Sequence, residues 1–260
     1  MSEDGGGAPA RRGRGAARAQ SVAETAGINL YAEGSLHAQV KEYLSGPGDR
    51  FEVAVEGKVV DLLKADGEIV EVQTRSLAKI EPKVLALARS GRRVRVVHPI
   101  AALSEIRRLD PRTDELQSTR RSPKRGDVYE LFGELAWATG LVAARNVTVE
   151  ALMVRTAVTR KNDGSGSWRR KGDRIVDREL VEVLGSRAFR TPTQWLALIP
   201  KDLPPPWCSA SLGEALDIRT TRARLILYCL ARAGLIVECG RDGRRKTYAL
   251  APRRAQKCNQ

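Results

Sequence analysis

Two carboxylates, Asp61 and Glu71, stand at the centres of the apolar segments Val59-Val60-Asp61-Leu62-Leu63 and Ile69-Val70-Glu71-Val72. An ionised acid on a hydrophobic strand needs a partner, because burying an unpaired charge is strongly unfavourable. A bound divalent cation is one such partner. The loop between the segments, Ala65-Asp66-Gly67, has three residues with Gly at the left-handed position, a common hairpin connection. That register pairs Lys64 with Glu68 and sets Asp61 opposite Glu71, on one face and roughly 4.5–5.5 Å apart at Cβ. Carboxylates so placed can share one ion. A two-residue Asp-Gly turn would instead put Asp61 opposite Val72 and send Glu71 to the other face. The plain alternative is two acids facing solvent on an edge strand. Against it, the nearly continuous apolar run around Asp61 is typical of a central strand.

Other groups could join this pair. Glu52 falls opposite Asp61 if Glu56-Gly57 is a two-residue turn. Glu33, at the start of the first helix, could add a third acid or simply complement the helix dipole. His37, one turn further on, could face the same site or sit on the surface.

The elements that would position these groups follow from periodicity. Residues 33–44 carry Leu36, Val40, Tyr43 and Leu44 on one helix face. Segments 51–55, 58–64 and 68–74 read as three strands. Residues 76–88 read as a helix stopped by Gly91, and 93–97 as a last strand before His98-Pro99. From 110 to 125 the chain turns polar and basic, a linker or a backbone-contacting segment with Arg120, Arg121, Lys124 and Arg125 around Pro123. Residues 128–139, 176–184 and 194–199 read as helices and 147–158 as extended. Between 160 and 173 lies a Gly/Ser-rich basic loop with Trp168.

Past Pro204-Pro205-Pro206, the string Ser211-Leu212-Gly213-Glu214 reads as a capping box. A second helix, capped by Thr220 or Thr221, carries Leu225, Ile226, Cys229, Leu230 and Ala233 as one stripe. A basic hairpin follows around Gly240-Arg241-Asp242-Gly243. Arg219, Arg222, Arg224, Arg241, Arg244, Arg245 and Lys246 could contact phosphates, or be merely solvated.

The 260 residues, 42% hydrophobic, can build a real core, and the formal charge of +14 points to a polyanionic partner, nucleic acid before acidic lipid. No apolar run approaches a membrane span. Four cysteines without a Cys-x-x-Cys pair and two histidines argue against structural zinc and for reduced thiols in a cytoplasmic protein. The Gly/Arg-rich start is read as a disordered basic tail.

The order helix, three antiparallel strands, helix, strand resembles the αβββαβ core of the PD-(D/E)XK nuclease superfamily, including its restriction-endonuclease-like and Holliday-junction-resolvase-like members. The resemblance implies an α/β fold in which Asp61 and Glu71 ligate Mg²⁺ or Mn²⁺ and Glu33 assists. Gln73 stands where a Glu-x-Lys motif has its lysine; there it would orient water but bring no charge, and Lys79 or Lys83 could supply that charge. The string Glu71-Val72-Gln73-Thr74, with Ser122-Pro123-Lys124-Arg125-Gly126 downstream, is similar to a prokaryotic family of undefined function. The C-terminal helix-turn-helix with its hairpin resembles a winged helix. The expected organisation is a tail over 1–28, a nuclease-like domain over 29–105, a basic linker and α+β region over 106–205, a winged helix over 206–252 and a tail over 253–260. The implied function is Mg²⁺-dependent DNA cleavage, with Arg121, Lys124, Arg125 and the C-terminal basic residues on the nucleic acid. Alternatives are a catalytically inactive DNA-binding or regulatory protein on this fold, or a winged-helix adaptor for a protein partner. Members of the superfamily often work as dimers, so a homodimer is an expectation of the resemblance alone.

Overall fold

The computed structural model describes residues 34–166 and 172–252. Glu33, Trp168 and both expected tails lie outside the described residues.

Helix α1 (Ser35–Leu44) precedes the antiparallel strands β1 (Arg50–Val55), β2 (Lys58–Leu63) and β3 (Ile69–Val72). Glu56 and Gly57 (φ 50° and 73°) make the tight β1–β2 turn, and Gly67 (φ 83°) holds the left-handed position of the three-residue β2–β3 loop. Helix α2 (Glu81–Arg89) then crosses over to β4 (Val94–Leu109), which runs parallel to β3. Strand β5 (Leu116–Arg121) folds back on the far end of β4. A 3-10 turn and the short α3 (Leu131–Leu135) lead to β6 (Val147–Asn162), parallel to β4, and β7 (Asp173–Phe189) returns antiparallel to β6. The result is one mixed sheet in the order β1-β2-β3-β4-β6-β7, with β5 on β4.

Three sequence expectations change here. The strand expected over 93–97 continues through Pro99 to Leu109, so the boundary expected at 105 falls inside it. Proline looked like a stop because it has no N–H to donate. It is tolerated because β3 ends at the Val72–Val97 pair and β5 begins at Glu105, so that edge of β4 has no strand partner at Pro99. The linker expected over 110–125 contains β5.

The helix expected over 176–184 is part of β7. Along β7 the register with β6 slips at three places, leaving Val176, Val181 and Leu184 without a partner. Each is the extra residue of a bulge, and these same three side chains are exposed. The bulges break the two-residue alternation of a strand and leave apolar residues at a helix-like spacing.

The interior forms two apolar clusters. One, under α1, holds Leu36, Val40, Leu62, Val70, Val72 and Val97. The other joins the opposite layer, including Val84 and Leu87 of α2 and Phe132 of α3, to the C-terminal helices. Phe189 stacks on Trp195 of α4 (Pro192–Leu196) at 4.5 Å between ring centroids, and Phe132 meets the same indole edge-on at 6.2 Å. Beyond them come α5 (Ser209–Ala215), α6 (Thr220–Arg232) and the hairpin β8 (Ile236–Asp242) with β9 (Arg245–Leu250). Leu212, Ile226, Leu227 and Leu230 of α5 and α6 belong to this second cluster, so the core runs unbroken across the residue-206 boundary. Two caps differ from expectation. The α5 box lies one turn earlier, where Ser211 Oγ accepts from Cys208 N–H (3.0 Å), and α6 begins after Arg219 without a side-chain cap.

Candidate functional site

The β2–β3 register is the one that the three-residue loop requires. Leu63 pairs with Ile69 and Leu62 with Val70, and the ladder ends there, one step short of the expected Asp61–Glu71 pair. At that step β2 turns. Val60 belongs to the cluster on the α2 side, whereas Leu62, which ordinary alternation would place beside it, belongs to the cluster under α1. Across the β1–β2 ladder from Asp61, Glu52 has φ 49°, a left-handed conformation that marks the same irregularity.

As a result, the two acids are gripped from opposite layers, Asp61 from α1 and Glu71 from α2, where the sequence led to the expectation of one shared face. Asp61 Oδ2 accepts from the Val72 N–H (2.8 Å) and lies 3.3 Å from His37 Nε2 of α1. Burial works against its charge, but His37, the Val72 amide and Lys41 outweigh it and hold the carboxyl below its ordinary value. Glu71 is 2% exposed, and its Oε2 lies 2.7 Å from Lys83 Nζ of α2. Its Oε1 is buried without a hydrogen-bond partner among the described residues. Burial, reinforced by the Asp61 charge and opposed by Lys83, pushes the Glu71 carboxyl up to about 7.

The remaining expected residues fall in several places. Glu52 sits at the register expected for it, but its carboxylate binds the buried Lys41 of α1 at 2.5 Å. Gln73 Oε1 accepts from Arg75 N–H (3.2 Å) and so caps its own turn. Lys79 is exposed on a 3-10 turn, while Lys83 reaches Glu71 and also donates to Val59 O (2.8 Å). His37 and Lys83 are thus the side chains set against the two acids; their only signal in the sequence is a position on the helices flanking them. Past the end of β3 lies a cavity of about 330 Å³, lined by groups including Thr74, His98, Lys124, Glu130 and Glu134. His98 was not singled out from the sequence. Its Nδ1 donates to Gln73 O (2.6 Å), and burial holds its pKa below the ordinary value.

Among the basic residues, Arg120 and Arg121 are exposed on β5, and Arg125 donates to Ser122 O. Lys124 pairs with Glu130 (3.1 Å). Arg222 is withdrawn into an ion pair with Asp127 (2.5 Å) and approaches Glu130 (3.6 Å). Arg219, just before α6, and Arg224 and Tyr228 on it remain exposed, as do Arg241, Arg244, Arg245 and Lys246 on the hairpin, where Lys246 pairs with Glu238 (2.6 Å). No described helix is long and apolar enough to cross a membrane.

Comparison with known proteins is consistent with a single family. A protein of Treponema pallidum (strain Nichols), described as an uncharacterized protein, is 32% identical over 225 residues, which is 86% of this chain and 88% of that relative. No solved structure matches the chain. The model of the family described as Domain of unknown function (DUF8091) matches residues 34–190, the span from α1 through the whole of the mixed sheet. The chain therefore belongs to the DUF8091 family.

Proposed function

We propose that this chain is a divalent-cation-dependent phosphodiesterase acting on nucleic acid, DNA first, on a fold of the PD-(D/E)XK type. The observation that carries the reading is Glu71: a buried carboxylate with an unpartnered oxygen, on the strand next to the one that carries a second acid. The order α1, three antiparallel strands, α2, parallel strand supports the fold assignment.

Among the described residues no three of His, Cys, Asp and Glu gather into a metal-holding group. In the proposed reading Asp61 and Glu71 would be the protein ligands. A two-carboxylate set suits Mg²⁺ or Mn²⁺, since Mg²⁺ keeps several of its own waters, and it does not suit the four-ligand cage of structural zinc. Such an ion, when bound, lowers the pKa of an attacking water and polarises the phosphate. The chain's own residues do the rest. The Val72 amide and His37 fix the Asp61 carboxylate, and burial between β3 and α2 keeps Glu71 away from bulk water.

The C-terminal elements support binding to a duplex in the manner of a winged helix. Arg219, Arg224 and Tyr228 would face the groove and Arg241, Arg244 and Arg245 the backbone. The net charge of +14 favours the same partner.

Nicking of branched and linear DNA with Mg²⁺ or Mn²⁺ tests the proposal. Cleavage that disappears in Asp61→Ala and Glu71→Gln is the expected result; equal cleavage by Asp61→Ala defeats it. A second reading, DNA binding without cleavage, is favoured by Gln73, whose amide is spent on Arg75. It expects salt-sensitive DNA affinity that survives both substitutions and no cleavage by the wild type.

A further inference from the structure

Along one edge of β4, strand β3 ends at Val97 and β5 begins only at Glu105, and the cavity of about 330 Å³ opens beside that gap. Its size falls within the range of small-molecule sites, about 300–1,000 Å³. We infer that it is a binding site for an unpaired guanine base, from a free nucleotide or from a single strand. Glu134 and His98 accept from the N1–H and 2-amino groups, and Lys124 donates to O6. Neither Asp61 nor Glu71 takes part, so the inference stands apart from the phosphodiesterase reading.

The acceptors decide the ligand. His98 is 9% exposed, and its Nδ1–H donates to Gln73 O (2.6 Å). Burial favours the neutral ring, so Nε2 keeps its lone pair and can only accept. That nitrogen has no partner among the described residues, and the ring lines the cavity. The Glu134 carboxylate lines it too, near enough for its charge to act on His98. Among the described residues it makes no hydrogen bond or ion pair. The second acid of the cavity, Glu130, is already held by Lys124 (3.1 Å).

Two neighbouring acceptors call for a ligand with adjacent donors. Among the common nucleobases only guanine carries two on its pairing edge, N1–H and the 2-amino group. Adenine and cytosine set one amino group beside a ring acceptor, and thymine and uracil set one N–H between two carbonyls. A duplex uses this edge for pairing, so the base must be unpaired. An amine or a guanidinium also offers donors, but Lys124, Arg160 and Arg178 line the same cavity and repel a cation. The same three side chains suit the O6 and the phosphate of a nucleotide. Pro99, Ile100 and Ile106 supply apolar surface for the ring.

The test is calorimetric titration of the full chain with guanosine, inosine and adenosine 5′-monophosphates, and with a short single strand carrying either one guanine or one hypoxanthine. Hypoxanthine differs from guanine only in lacking the 2-amino group. Inosine monophosphate is expected to bind about ten-fold more weakly than guanosine monophosphate, and adenosine monophosphate about 100-fold more weakly, because each leaves an acceptor unpaired. Glu134→Gln, equal in size and checked for folding by circular dichroism, is expected to lose about ten-fold in affinity for the guanine ligand. Its preference for guanine over hypoxanthine should shrink to within about three-fold. Preference for guanine in the free nucleotides assigns the site to nucleotides, and preference in the strand alone assigns it to nucleic acid; either supports the inference. No preference for guanine in either ligand overturns it, as does unchanged guanine affinity in Glu134→Gln. If that variant does not fold, the guanine–hypoxanthine comparison on the wild type decides. Cleavage is not read, so failure of the phosphodiesterase reading leaves this outcome untouched.

Discussion

At Glu71 the fold sets burial and the neighbouring Asp61 charge against one ammonium, and the carboxyl settles at about 7 instead of its ordinary 4.5. The folded chain then holds a proton that the unfolded chain releases. In the absence of divalent ions, stability falls as pH rises from about 4.5 towards 7, and below that window the group has no effect. Glu71→Gln should therefore be flat across the window and, above pH 7, more stable than the wild type by on the order of 2 kcal/mol. Urea midpoints at pH 5 and pH 8 in a chelator measure this; a wild type no less stable than Glu71→Gln at pH 8 refutes it. Asp61, held below its ordinary value by His37 and the Val72 amide, behaves oppositely and loses its contribution only in stronger acid. Gly126 is a different kind of constraint. A Cβ there would stand 2.5 Å from the Ala101 carbonyl oxygen, so the Ser122-to-Gly126 strap lies against β4 where only glycine fits. Gly126→Ala should cost about 1–3 kcal/mol, the scale of an overpacked interior, read as a lowered urea midpoint.

Among the elements, β7 and α6 make the sharpest claims. The bulges of β7 turn Val176, Val181 and Leu184 outward, while Leu180 and Val183 pack into the cluster under α1. Val181→Thr should stay within about 0.5 kcal/mol of the wild type. Leu180→Ala, which truncates a half-buried side chain, should cost about 1–3 kcal/mol. Equal effects at the two positions would show that the bulge register is wrong. On α6, Arg224 is free to reach a phosphate, whereas Arg222 is bound to Asp127. Arg224→Ala should weaken DNA binding and lower the salt slope by about one, and Arg222→Ala should leave that slope nearly unchanged. Filter binding over a range of salt concentrations separates the two.

At the scale of the whole molecule, the stack of Phe189 on Trp195, with Phe132 at its edge, welds the sheet to the C-terminal helices. The apolar cluster beneath them continues into α5 and α6. A shared core of this kind unfolds as a unit. Trp195→Ala should cost about 3–5 kcal/mol, and its urea transition should remain single, with fluorescence and circular dichroism coincident. An early, separate loss of the C-terminal helices would contradict a shared core.

The hairpin around Asp61 and Glu71 was legible in the letters, because loop length sets register and register is local. The helix–strand order through β4 was legible for the same reason, as was the exposed basic hairpin at the end of the chain. Other features depended on partners distant in the sequence. Whether Pro99 ends a strand depends on whether β3 still flanks it, and β7 looked helical because its bulges are defined only by β6. Lys83 rather than Gln73 faces Glu71 because α2 crosses the sheet at that level. Periodicity and turn chemistry act over a few residues, so the sequence alone placed the two acids on neighbouring strands. The charges that hold them come from helices on opposite faces of the sheet, and only the tertiary structure could decide those.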